Sequence, residues 1–224
     1  MTISASLLGR IAGVTLSTAG AIFIGIQINH PALTVDFVGT TEFVIRQTLK
    51  AVMTVLVLAG ITSLTVKHGR ELGVLGGIGY VLFSIGYLAM FSVETIAGYV
   101  LPAIVHTSPG YVQDVLTAAF GGAPAGDIGA MQALLGLSGM GYMFGGLVFG
   151  IALFRAAVVT RWASALLAVA TVSTLALAVL PESFNRPFAI PTGIALMGLG
   201  WSAWRRASVV DTRIAPAPVA AAAR

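Results

Sequence analysis

The chain of 224 residues is 57% hydrophobic and only 9% charged, against about 45–50% apolar and about 25% charged in soluble domains, which excludes an ordinary water-soluble fold. It has no cysteine, so disulfides, thiolate metal sites and cysteine nucleophiles are excluded as well. The formal net charge of +4 comes from basic residues scattered in ones and twos at the ends of apolar runs, which is a topology signal rather than a nucleic-acid surface.

The first apolar run covers residues 7–28 and follows Arg10 in the manner of a signal peptide. It exceeds a typical signal core and lacks a small-residue cleavage pattern before His30 and Pro31, so it reads as a retained helix. Further runs cover 44–66, 72–99, 128–154, 162–180 and 188–204. A hydrocarbon core of about 30 Å needs about 20 apolar residues per helix. The expectation is therefore an all-α polytopic bundle of six transmembrane helices, one domain over residues 1–206, with the Ala- and Pro-rich stretch 207–224 as a disordered cytoplasmic tail.

Alternating the runs places Arg10, Lys67, Arg70, Arg155, Arg161, Arg205, Arg206, Arg213 and Arg224 on one side and only Arg46, Lys50 and Arg186 on the other. The positive-inside rule then makes both termini cytoplasmic. Asp36, Glu42, Glu94, Asp114, Asp127 and Glu182 fall on the outer side, with Glu71 and Asp211 inside. Trp162, Trp201 and Trp204 adjoin cytoplasmic arginines, as an interfacial aromatic belt requires.

Small residues recur every fourth position at Gly9, Gly13, Ser17, Ala21 and Gly25, at Gly73 and Gly77, and at Gly141/Gly145 and Gly146/Gly150. Such spacing marks close helix contacts. The segment 141–146 lacks the preceding strand and following Lys-Ser/Thr of a phosphate loop, so a nucleotide site is rejected.

Chemistry points first to Glu94, the sole ionisable residue between Leu72 and Val105. An acid in such sequence normally has a partner, a wet cavity or a function. If the second and third helices form a hairpin turning near Gly69, Glu94 lies level with Val44, near the outer edge of the core, with Arg46 as its nearest cation. Glu42, Arg46 and Lys50 recur every four residues and share a face that can offer cations to it. The plain reading is a structural ion pair fixing the hairpin; the sharper one is an anion or lipid-headgroup pocket, or an acid/base site.

His30 and His106 flank the same mouth, but no ligand spacing links them, so neither a metal nor another cofactor is expected. In the long connection 102–127, Tyr111, Val112, Val115, Leu116, Ala119 and Phe120 form one helical stripe opposite Gln113, Asp114 and Thr117. This predicts a short surface helix, placed to act as a lid over the polar mouth or to anchor the loop in lipid. Arg46, Lys50, Glu94, His30, His106 and Asp114 are thus the candidate ligand-binding residues, with Glu94 the one catalytic candidate.

Three segments carry a resemblance: Arg10-Ile-Ala-Gly leading to Asn29-His30-Pro31, Leu153-Phe154-Arg155 leading to Arg161-Trp162-Ala163, and Gly198-Leu-Gly-Trp201-Ser-Ala-Trp204-Arg205. In these the chain resembles the uncharacterised small multi-spanning integral membrane proteins of high-GC bacteria. The resemblance implies a six-helix protein of the bacterial inner membrane and brings no catalytic residues with it.

Three functions compete. The first is a non-enzymatic membrane protein whose outer polar pocket binds a lipid, a small hydrophobic ligand or a partner. The second is a membrane enzyme on a lipophilic substrate, such as a terpene cyclase or isomerase, with Glu94 as acid and Phe91, Tyr87 or Tyr99 stabilising a carbocation. An acid in that role must carry its proton, which a neighbouring cation opposes. The third is a secondary transporter, which internal repeats and helices broken at midplane would mark.

Overall fold

The computed structural model describes residues 4–178 and 187–214, and among them the secondary structure is all helical. α1 (Ala5–Gly25) starts at Ser4, whose hydroxyl accepts from the Leu7 amide. α2 (Val35–Val38) and α3 (Thr41–Tyr99) open on Thr34 and Thr40, each accepting an amide three residues on. α4 (Leu101–Ile104) and α5 (Pro109–Ala119) carry proline in the first turn, where a missing N–H costs nothing. α6 (Ala130–Ala156), α7 (Arg161–Ser173), a 3-10 segment (Thr174–Ala178) and α8 (Ala189–Ile214) complete the order.

α3 bends back on itself at His68 and Gly73. Gly73 has φ +60 and ψ −161, a backbone region essentially reserved for glycine. The two limbs run antiparallel, joined by hydrogen bonds between the hydroxyls of Thr62 and Tyr80 (3.0 Å) and of Thr48 and Tyr99 (2.9 Å). The hairpin therefore centres near Leu72, three residues later than a turn at Gly69 would put it, because the first limb stays helical up to His68 and Gly73 makes the reversal.

Neighbouring helices pack antiparallel in a closed ring of α1, the first limb of α3, its second limb, α6, α7 and α8, with α8 returning to α1. Seven basic residues, Arg10, Lys67, Arg70, Arg155, Arg161, Arg205 and Arg206, consequently gather at one end of the ring. Lys67 lies beside Gly9, the Arg10 guanidinium sits 5.8 Å from the Trp204 ring, and Arg206 donates to the Ala157 carbonyl at 3.0 Å.

Glycines set the approach distances, though not all of those expected. On α1, Gly9, Gly13 and Gly20 meet α8, whereas Ala21 and Gly25 are exposed. Each four-residue step over-rotates a 3.6-residue helix by about 40°, so a stripe of period four leaves its own face within a few turns. On α6, Gly141 and Gly145 press on the second limb of α3 at Gly86 and Phe83, while Gly146 and Gly150 press on α7 at Thr171 and Ala168. Gly73 and Gly77 meet no neighbour.

Among the described residues three helices are long and apolar enough to cross a membrane: Ala5–Gly25, Thr41–Ile104 and Ala130–Ala156. The second contains both limbs of the hairpin, and each limb exceeds the about 20 residues a crossing needs. α8 continues past Arg206, the expected end of the helical domain, to Ile214; residues 215–224 of the expected tail, with Glu182 and Arg186, lie outside the described residues.

At the turn, outside the apolar limbs, burial first and the Lys67 charge second hold the His68 imidazole below its ordinary 6.5, against an opposing pull from Glu71. The fold thus prefers neutral His68, so its contribution to stability is complete above pH 6.5 and is lost as pH falls through the lower folded value. Replacing His68 by Gln should flatten the dependence of melting temperature on pH below 6.5. An unchanged slope in detergent melts would remove His68 as its source.

Candidate functional site

Near the end of the ring opposite the arginines, the limbs of α3 diverge from α6 and leave a cavity of about 320 Å³. Phe43, Gln47 and Lys50 come from the first limb, Met90, Val93, Glu94 and Ala97 from the second, and Met131, Leu135, Ser138 and Gly139 from α6. Val115, Leu116, Ala119 and Phe120 of α5 roof it. Since Val112, Val115, Leu116 and Ala118 are buried, the short helix expected over the mouth lies in the place expected for a lid.

Lys50 and Glu94 face each other inside, Nζ to Oε2 at 3.8 Å, with side chains only 17% and 14% exposed. That separation is an ion pair but not a hydrogen bond, and Glu94 Oε2 is buried with no hydrogen-bond partner. Gln47 Oε1 is buried and equally unpartnered. The cavity therefore holds a close Lys50–Glu94 pair and two buried acceptors in need of a donor, inside a wall otherwise apolar but for Ser138.

Arg46 is not the partner of Glu94. Its guanidinium binds Glu42 at 2.7 Å and donates to the carbonyls of Ile26 (2.8 Å), Ile28 (3.3 Å) and Asn29 (3.2 Å), closing the C-terminal end of α1. The later centre of the hairpin brings Lys50 level with Glu94 in its stead and moves the acid from the rim to a position beneath the lid. Gln47 and Ser138 escaped the sequence reading because neutral polar residues do not interrupt an apolar run. Gln47 could have been found as the amide one turn before Lys50.

Asp114 and His30 have structural employment. Asp114 accepts the amides of Ala125 (2.8 Å) and Gly126 (3.0 Å), clipping the loop after α5 to the helix. His30 Nδ1 lies 2.8 Å from the Pro31 carbonyl and its ring packs edge-on to Phe37, whereas His106 is exposed. Among the described residues no group of histidines and acids is arranged to hold a metal ion.

The aromatics expected to stabilise a cation lie apart from the cavity. Tyr87 is buried in a cluster with Phe83 and Tyr142, and Phe91 and Tyr99 are 38% and 56% exposed. A larger groove of about 580 Å³ between α6 and α7 is walled by residues such as Leu147, Ile151 and Val169 and presents no charged group.

Compared with protein-family models, curated proteins and solved structures, the chain has no match.

Proposed function

We propose that this is a multi-pass membrane protein in which all six long helical segments cross the bilayer, with the arginine-rich end cytoplasmic, and that the cavity under α5 binds a small amphiphile. The spanning part draws on the outward faces of the helices. Val52, Val55, Val74, Val81, Leu88, Leu137 and Phe144 are all exposed, an apolar surface too continuous for water. In this frame the neighbouring polar ends, the tryptophans and the basic bias agree with one another.

The observation that carries ligand binding is the covered cavity with the Lys50–Glu94 pair and two unpartnered acceptors. Its ligand has an apolar body lying on Met90, Leu135 and Phe120 and a head that donates hydrogen bonds, such as a hydroxyl or an amine, to Glu94 and Gln47. Enzyme and transporter readings lack a comparable support: Tyr87, Phe91 and Tyr99 stand outside the cavity, and among the described residues α1 and α6 run unbroken from end to end.

The test is photolabelling of the purified protein with a diazirine-bearing long-chain alcohol. Label should concentrate on both limbs of α3, on α5 and on α6. Gly139 has open space where a side chain would stand, so Gly139→Leu should fill the cavity and cut labelling about tenfold while leaving the melting temperature in place, since about 1.4 kcal/mol corresponds to tenfold. Uniform label over all helices, or full labelling of the filled variant, would sink the proposal.

A further inference from the structure

We propose that the notch between α7 and α8 at the arginine-rich end binds the phosphodiester headgroup of an anionic lipid. The inference rests on the membrane-spanning reading but is independent of the cavity under α5. The notch has a volume of about 320 Å³, and its polar lining consists of Thr160, Trp162, Trp201, Ser202, Arg205 and Arg206. Each can donate: two guanidinium groups, two indole N–H groups and two hydroxyls. Among the described residues no carboxylate lines the notch.

Two of the donors are held in place. Ser202 Oγ accepts the Thr160 amide at 2.9 Å, which ties the start of α7 to α8 and leaves the hydroxyl hydrogen for a ligand. Arg206 spends one N–H on the Ala157 carbonyl at 3.0 Å, anchoring its guanidinium beside the notch with its other N–H groups to give. The Trp162 ring lies against Gly198, whose missing side chain leaves the ring its place. Planar guanidinium groups match phosphate oxygens two at a time, which distinguishes this site from a diffuse basic surface.

A lipid is favoured over free phosphate by what adjoins the notch. From Trp201, 63% exposed, an outward stripe continues along α8 through Met197 and Ile194, 40% and 42% exposed. Acyl chains can lie along that stripe while the headgroup meets the arginines, with Trp162 and Trp201 at the depth where indoles collect.

The experiment uses the full chain, delipidated in neutral detergent, with binding followed by native mass spectrometry. Phosphatidylglycerol, phosphatidylcholine and inorganic phosphate are compared at equal concentration. Phosphatidylglycerol should be preferred over phosphatidylcholine, with the preference falling about fivefold in Arg205→Gln and about thirtyfold when Arg206→Gln is added, on about 1 kcal/mol per arginine. Arg155→Gln, at the same end but outside the notch, should keep the full preference. Because Arg206 also holds Ala157, the single Arg205 variant carries the decision if the double variant does not fold. Equal binding of the two lipids, equal loss in the Arg155 variant, or displacement of lipid by inorganic phosphate at matched concentration overturns the proposal. Protein released from membranes by alkaline carbonate would defeat the spanning reading itself, whereas carbonate-resistant protein with no lipid preference defeats the notch alone.

Discussion

Gly86→Ala is expected to be among the most destabilising single methyl additions to this bundle. The new Cβ would fall on the main chain of Gly141 and Tyr142, and the reverse substitution, Gly141→Ala, would fall on the main chain of Gly86. Flexible side chains can turn aside; two backbones cannot, so the second limb of α3 and α6 must separate along their whole contact. Overpacking costs about 1–3 kcal/mol and sometimes more, and here separation also loosens Phe83 and Phe149, both fully buried in the same interface. Reversible unfolding in mixed micelles should show a loss at or above the top of that range. Gly77→Ala, four residues beyond Gly73 on an open face, should gain up to about 1 kcal/mol from helix propensity. Equal effects at the two glycines would refute the interface.

The Lys50–Glu94 pair carries the second large effect. Removing Lys50 alone leaves a carboxylate under the lid with no counter-charge, and removing Glu94 alone strands an ammonium; each truncation is expected to cost about 3–5 kcal/mol. Replacing both, as Lys50→Met with Glu94→Leu, removes charge and desolvation cost together and should return stability to within about 1 kcal/mol of the parent. The four proteins form a double-mutant cycle, and additive losses would show that the two side chains, 3.8 Å apart, do not interact. In the photolabelling assay the restored double variant should still fold but take up little of the alcohol probe. Stability and binding would thereby be separated at one site.

Much of this arrangement was legible in the sequence, and the exceptions have physical causes. The hairpin, a short helix within the connection 102–127 and the gathering of basic residues at one end followed from run length, helical periodicity and charge placement. The partner of Glu94 did not, because a shift of three residues in the centre of a hairpin changes which side chain stands opposite, and nothing short of the Gly73 backbone locates that centre. The stripe of Glu42, Arg46 and Lys50 misled for the same reason as the glycine stripe on α1. Steps of four turn steadily around a helix, so Arg46 reaches the end of α1 while Lys50 reaches the cavity. The α3–α6 crossing went unseen because Gly79 and Gly86 stand seven apart, two turns, with no intervening small residue on that face to draw attention.

The pairing of α1 with α8 joins the first of the described helices to the last of them. Gly13 and Gly20 have no close neighbour until Trp204, Gly200 and Gly193 arrive, and a chain synthesised from its N-terminus must complete four other helical segments first. Until then α1 is held on one flank by the first limb of α3, with Arg46 already capping its end, and its glycine face remains open to lipid or to another helix. Closure of the ring is consequently a late event spanning nearly the whole length of the chain, the kind of contact that slows assembly. A protein cut before Ala189 would keep an open seam along α1, into which α8 supplied as a separate segment should still dock.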